Sequence, residues 1–219
     1  MAGQKQIEFN FRTHGGARRG AGRKKRLIHE SSHAARPEVD EKSPCHVVIK
    51  LLPCRPRLRT PKFIRAFTRA IKRMQVFGVG VQHFAIESNH IHLVLEASSG
   101  EALARAMASL LASITWAMRR IFRFYGPLFL GRYHLHKVVS PREMRNVLRY
   151  VLFNHSKHCG MKPFADVYSS IFSFENLRDL LLVRLPDPPD WQREITGSIR
   201  AARSWLQRVG WRRQGEHRR

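Results

Sequence analysis

The chain predicts an α+β fold: a ferredoxin-like, split βαβ antiparallel sheet with helices on one face, followed by a further helix and by basic extensions. Runs of alternating or β-branched character recur four times between residues 46 and 139. Amphipathic runs with a period near 3.6 fall after the first and after the third of them. The resulting order of strand, helix, strand, strand, helix, strand is the one the split unit produces.

Each element has its own local reason. HVVIKLL at 46–52 alternates and is rich in β-branched residues, so it reads as the first strand. Pro53, Pro56 and Pro61 break the chain, and residues 62–76 then place Phe63, Ala66, Phe67, Ala70, Ile71 and Met74 on one helical face. VGVQHFAIES at 79–88 is the second strand, Ser88 and Asn89 are turn formers, and HIHLVLEA at 90–97 is the third. A helix over about 101–124 carries Leu103, Met107, Leu110, Ile114 and Met118 as its stripe, and Gly126-Pro127 is expected to end it. RYHLHKVV at 132–139 closes the set. SPRE at 140–143 is a helix start, with Ser140 as cap, Pro141 in the first turn and Glu143 able to close a capping box. That helix is expected to run to His158, with Tyr150, Asn154 and His158 in one i, i+4, i+8 row. Beyond it, LRDLLLVRLP at 177–186 is expected to pack on the domain and PDPPDW at 186–191 to be a rigid linker. Residues 191–209 read as a basic amphipathic helix and WRRQGEHRR as a cationic tail.

Charge narrows the class of partner. The 219 residues hold 40 Lys+Arg against 16 Asp+Glu, a formal net charge of +24. Such a surplus repels itself, and nucleic-acid phosphates are its commonest compensation. No apolar run approaches the roughly 18 residues of a membrane span, and the first residues lack the apolar core of a signal peptide, so no membrane partner is expected. Cys45, Cys54 and Cys159 are odd in number and form no C-x-x-C, which argues against a disulfide framework or a cysteine zinc site and for a reducing cytoplasm. Three regions result: a basic flexible arm over 1–42, a folded domain over 43–160 and a basic extension over 161–219. In the arm, GGARRGAGRKKR supplies Arg18, Arg19, Arg23, Lys24, Lys25 and Arg26 for phosphate contact.

His90 and His92 lie two apart on a predicted strand, so both imidazoles share a face while Ile91, Leu93 and Leu95 take the other. Neutral imidazole is a common ligand for divalent metal. His134 and His136 have the same spacing on the fourth strand, and period alone does not separate the pairs. The second pair sits among Arg132, Tyr133 and Lys137, a setting that suits a DNA-facing edge. Glu87 beside the third strand is a candidate second partner for an imidazole. A ferredoxin-like sheet that binds nucleic acid without chemistry is the alternative class, and such sheets bind through aromatics on the open face.

Three segments, in order, carry a family likeness: SNHIHLVLEA at 88–97, GRYHLHKVV at 131–139 and LRYVLFNHSKHCG at 148–160. Together they resemble the single-tyrosine HUH (His-hydrophobic-His) transposases, and within them the REP-associated tyrosine transposases, over about residues 44–160. Ser88 stands where relatives commonly have Pro. The resemblance implies His90 and His92 as metal ligands, Asn154 as third ligand and Tyr150 as nucleophile, and it demotes His134 and His136. It further implies a divalent ion, Mg²⁺ or Mn²⁺, and a monomer or homodimer. The implied substrate is single-stranded DNA bearing a hairpin of the REP-like palindromic kind, cut and rejoined through a 5′-phosphotyrosine.

Overall fold

The computed structural model describes residues 35–162, 164–173 and 189–215. The basic run at 15–26, the apolar run at 177–186 and residues 186–188 of the expected linker lie outside the described residues. Strands β1 (Cys45–Lys50), β2 (Val79–Ile86), β3 (His90–Ala97) and β4 (His134–Lys137) alternate with helices α1 (Pro61–Met74) and α2 (Gly100–Phe122) in the expected sequence. The sheet order is β2-β3-β1-β4, antiparallel throughout. The fold is α+β with a four-stranded antiparallel sheet.

Local chemistry sets the helix ends. The Thr60 hydroxyl accepts from the Phe63 amide at 3.2 Å, with Pro61 opening α1. Ser99 does the same for Ala102 at 3.1 Å at the start of α2. A short 3₁₀ turn after α1 ends on Gly78, whose φ of 77° and close approach to Ser98 exclude a Cβ. Helix α2 stops at Arg123, itself left-handed at φ 51°, before the Gly126-Pro127 pair that the sequence suggests.

Register decides what each face of the sheet does. Cys45 pairs with Leu95, Val47 with Leu93 and Ile49 with Ile91, and all six are buried under α1 and α2. Each such side chain contributes about 1.5–3 kcal/mol by leaving water. The interleaved residues His46, Val48, His90, His92 and Val94 face the other way, with His134 and His136 on the neighbouring strand. Helix α3 (Pro141–Leu152) covers part of that face, burying Met144, Leu148, Val151 and Leu152 with Ala85 and Val94. Its start follows the SPRE reading: Ser140 Oγ accepts from the Glu143 amide at 3.2 Å, while the Glu143 carboxylate accepts from the Val139 amide at 2.8 Å.

Several expectations are corrected. The helix over 140–158 is broken at Phe153 (φ −115°, ψ 18°), and Asn154–His158 forms a separate turn, α4. Asn154 thereby leaves the row it was expected to share with Tyr150 and is buried, held by Glu87. Nor is 191–209 one amphipathic helix. It divides into α5 (Gln192–Thr196) and α6 (Trp205–Arg208), because the chain between them docks on the sheet. The Arg200 amide donates to Val81 O at 2.8 Å, and buried Glu96 accepts from the Arg203 and Ser204 amides at 2.8 and 2.9 Å and from Gln207 Nε2 at 3.0 Å. A buried carboxylate needs such donors, and backbone amides supply them at the expense of helix. Trp211, expected in a cationic tail, is buried against α3. Residues 35–42, expected in the flexible arm, also lie on the sheet edge: Val39 is buried, Arg36 stacks on Tyr133 and Asp40 accepts from Lys137 at 2.7 Å.

Candidate metal and nucleophile site

β3 and β1 bring three imidazoles together on the α3 side of the sheet. The His90 and His92 rings are 4.8 Å apart, and His46 Nε2 lies 3.2 Å from His92 Nδ1. Tyr150 comes from α3, its ring 5.1 Å from that of His92 and 6.0 Å from that of His46. At 40% exposed, Tyr150 is open to a partner from solvent, while the ring edge rests on histidine. The Lys157 ammonium stands 5.7 Å from the Tyr150 ring centroid, and the His158 ring is 5.6 Å from that of His90.

Asn154 is oriented by a carboxylate. Its Nδ2 donates to Glu87 Oε1 at 3.2 Å, and Glu87 Oε2 meets His155 Nδ1 at 2.9 Å. A carboxylate accepts and cannot donate when ionised, so the amide nitrogen must face Glu87 and Oδ1 must be turned away from it. Asn154 Oδ1 and His92 Nε2 are both buried with no protein hydrogen-bond partner. Buried polar atoms of this kind are costly unless something completes them. Imidazole nitrogen and amide oxygen are both donor types that a divalent ion takes.

A neighbouring group has a different character. Glu87, His155 and Asp166 bring ligand-capable atoms within 4.8 Å of one another, a composition that can hold a metal. Each of the two carboxylates already has partners in the protein: Asp166 is gripped by both Arg59 amino nitrogens at 2.7–2.8 Å, and Glu87 is shared between Asn154 and His155. Arg59 already brings the cation.

Burial keeps the imidazoles neutral. Desolvation first, then the nearby His90 and His46, pushes His92 down to about 3. Desolvation, then His136 and His134, pushes His46 down to about 4. His90 is lowered by burial, against the opposing pull of Glu87. Neutral imidazole is the form that ligates metal.

The structure thus brings His90, His92 and Tyr150 together and ties Asn154 to the end of β2 through Glu87, whose amide donates to His90 O at 2.9 Å. His134 and His136 lie exposed on edge strand β4, where His136 bonds Glu143 at the cap of α3. Arg132 is exposed and Lys137 is paired with Asp40. The cations Arg18, Arg19, Arg23, Lys24, Lys25 and Arg26 lie outside the described residues. His46, His155, Arg59 and Asp166 were not singled out by sequence. His46 had one usable signal, since it opens an alternating strand of the same parity as an imidazole face. The others meet across more than 60 residues and had none.

No family model and no curated protein matches the chain. Among solved structures, a REP-associated tyrosine transposase bound to a REP hairpin is similar at 16% identity and a TM-score of 0.46, over 58% of this chain and 74% of that one. Among the described residues no helix is long and apolar enough to cross a membrane.

Proposed function

We propose that the chain is a metal-dependent single-strand DNA endonuclease and strand transferase, a transposase that acts on hairpin-bearing DNA through a 5′-phosphotyrosine. The observation that carries this is the buried, unpartnered His92 Nε2 on a ring 5.1 Å from that of the exposed Tyr150, together with the buried, unpartnered Asn154 Oδ1. His90, His92 and Asn154 would hold Mg²⁺ or Mn²⁺, which supplies Lewis-acid polarisation of the phosphate. Tyr150 Oη attacks phosphorus, the bond to the 3′-oxygen breaks, and that oxygen leaves as a 3′-hydroxyl. The phosphotyrosine keeps the phosphoester energy, so the 3′-hydroxyl of another strand reverses the step as strand transfer. Lys157 adds a cation 5.7 Å from the Tyr150 ring centroid. The net charge of +24 suits a polyanionic substrate, and the ordered SNHIH, GRY and RYVLFN segments support the hairpin assignment.

The test uses hairpin DNA labelled on the 3′ side of the cut, with Mn²⁺. Label should survive denaturing electrophoresis and map to the peptide containing Tyr150, and Tyr150→Phe should abolish it. Scission without an adduct would replace the proposal by a hydrolytic nuclease. Binding that is indifferent to chelator, with no scission, would replace it by the non-catalytic module. The Glu87, His155 and Asp166 group favours a second placement of the ion. Loss of Mn²⁺ binding in Asp166→Asn but not in His92→Ala would establish that placement instead.

A further inference from the structure

A second feature lies on the far side of the sheet from Tyr150. Helices α1 and α2 leave a groove of about 370 Å³ on their outer surface. Its lining includes Lys62, Arg65, Arg69, Arg120 and Trp116. Ala66 and Ala117 also line it, and their short side chains leave the space open. Trp116 is 58% exposed, with the Arg120 guanidinium 4.6 Å from its ring centroid. Among the described residues the lining holds no acid, and Arg65 makes only a loose ion pair at 3.8 Å with Glu194, both half exposed. The groove thus offers a partner a large aromatic side chain among four cations.

Lys62, Arg65 and Arg69 follow helical spacing, so their charges run along one side of the groove like a rail. A nucleotide strand has base π-faces for Trp116 and a phosphate for each cation, which is the chemistry of single-strand binding platforms. An acidic peptide would satisfy the cations and leave the indole face unused.

We infer that this α1–α2 groove binds single-stranded DNA flanking the reacting segment, with a base stacked on Trp116 and phosphates on Lys62, Arg65 and Arg69. The inference rests on the reading of the chain as a DNA enzyme and adds a second contact surface to it. Because the helix layer and the sheet separate the groove from Tyr150, it holds DNA without touching the phosphate that reacts.

The full chain is titrated with a fluorescein-labelled oligothymidylate of about 12 nucleotides, within the span such platforms cover. Trp116→Ala should weaken binding on the order of tenfold, and Trp116→Phe, which keeps a π-face, should restore most of it. The double variant R65Q/R69Q should flatten the slope of log affinity against log salt by about 1.4, at about 0.7 for each phosphate no longer neutralised. Oligonucleotide carrying 5-iodouracil should photocross-link to the Trp116 peptide. Adduct formation at Tyr150 on a saturating short hairpin should be unchanged in these variants, whose melting temperatures report their folding. Wild-type affinity and slope in all three variants, with no cross-link at Trp116, would overturn the inference while leaving the site at Tyr150 standing. Polyglutamate binding that depends on Trp116, with oligonucleotide binding that does not, would assign the groove to an acidic protein and overturn it equally. A wild-type chain that binds no oligonucleotide would instead remove the DNA reading itself.

Discussion

The two faces of one strand set are built to opposite ends. Under α1 and α2, β1 and β3 present Val47, Ile49, Ile91, Leu93 and Leu95, each at most 1% exposed. One residue along in every case, the α3 side presents His46, His90 and His92, with Val94 and Ala85 in the other core cluster. The first face is filled by side chains that need nothing further. The second keeps polar atoms out of water without completing them. A single register therefore separates stability from chemistry, and a one-residue slip would exchange the two.

His92→Ala attacks the imidazole face alone. Strand scission should fall below detection, Mn²⁺ binding by calorimetry should be lost, and the cooperative melt should persist. Leu93→Ala, the adjacent residue on the opposite face, should do the reverse. It should cost about 2–5 kcal/mol in denaturant unfolding, the range for a buried leucine, while scission at low temperature survives in the folded fraction. If Leu93→Ala abolished Mn²⁺ binding in protein still folded by circular dichroism, the separation of the faces would be wrong.

Glu87→Leu sharpens the comparison, because it leaves His90, His92 and Asn154 in place and removes what orients the last of them. Mn²⁺ affinity should drop by roughly 10–100-fold, as for other partners that hold a ligand. In the double variant E87Q/N154D the new amide donates to the new carboxylate, so affinity should return toward wild type. Failure of that exchange, with both proteins folded, would show that Asn154 is not held for its oxygen.

Acid should act on the imidazole face before the apolar one. His92 and His46 are pushed down to about 3 and about 4 in the folded protein, against about 6.5 when unfolded. Between those values the unfolded chain binds more protons than the folded one, so metal-free stability is full above about pH 6.5 and falls as the pH drops toward 4. The loss should be on the order of a few kcal/mol, and His46→Gln should reduce it in a pH series of denaturant melts. Smallest of all, His134→Ala with His136→Ala should leave scission within a few-fold, because both rings lie exposed on the edge strand.

What the sequence disclosed follows the range of the interactions. The HIH alternation, the Thr60, Ser99 and Ser140 caps and the stripes of α1 and α2 are local, and period or cap chemistry reveals them. The same locality puts His90 and His92 on one face of a strand, whereas Tyr150 lies beyond α2 and β4, in α3, and was joined to them only through the family resemblance. The break at Phe153 was illegible because nothing near it in sequence breaks a helix. The residue beyond it, Asn154, is bonded to Glu87, 67 residues away. His46 was visible as a strand residue but not as a neighbour of His92, which the pairing of β1 with β3 alone decides. The expected helix over 191–209 failed for the same reason, since its competitor, Glu96, belongs to β3.

That carboxylate also bears on the order of events during synthesis. Glu96 is paired by residues 107, 108 and 111 positions further along the chain. While a ribosome is still making the stretch between them, the sheet can pair and α2 can dock, yet this acid has none of those donors. Contacts of such long sequence separation form late, and domains begin to fold before the chain is complete. Until residues 203–207 have been made, water must stand in for these donors, and their arrival latches the buried carboxylate in place.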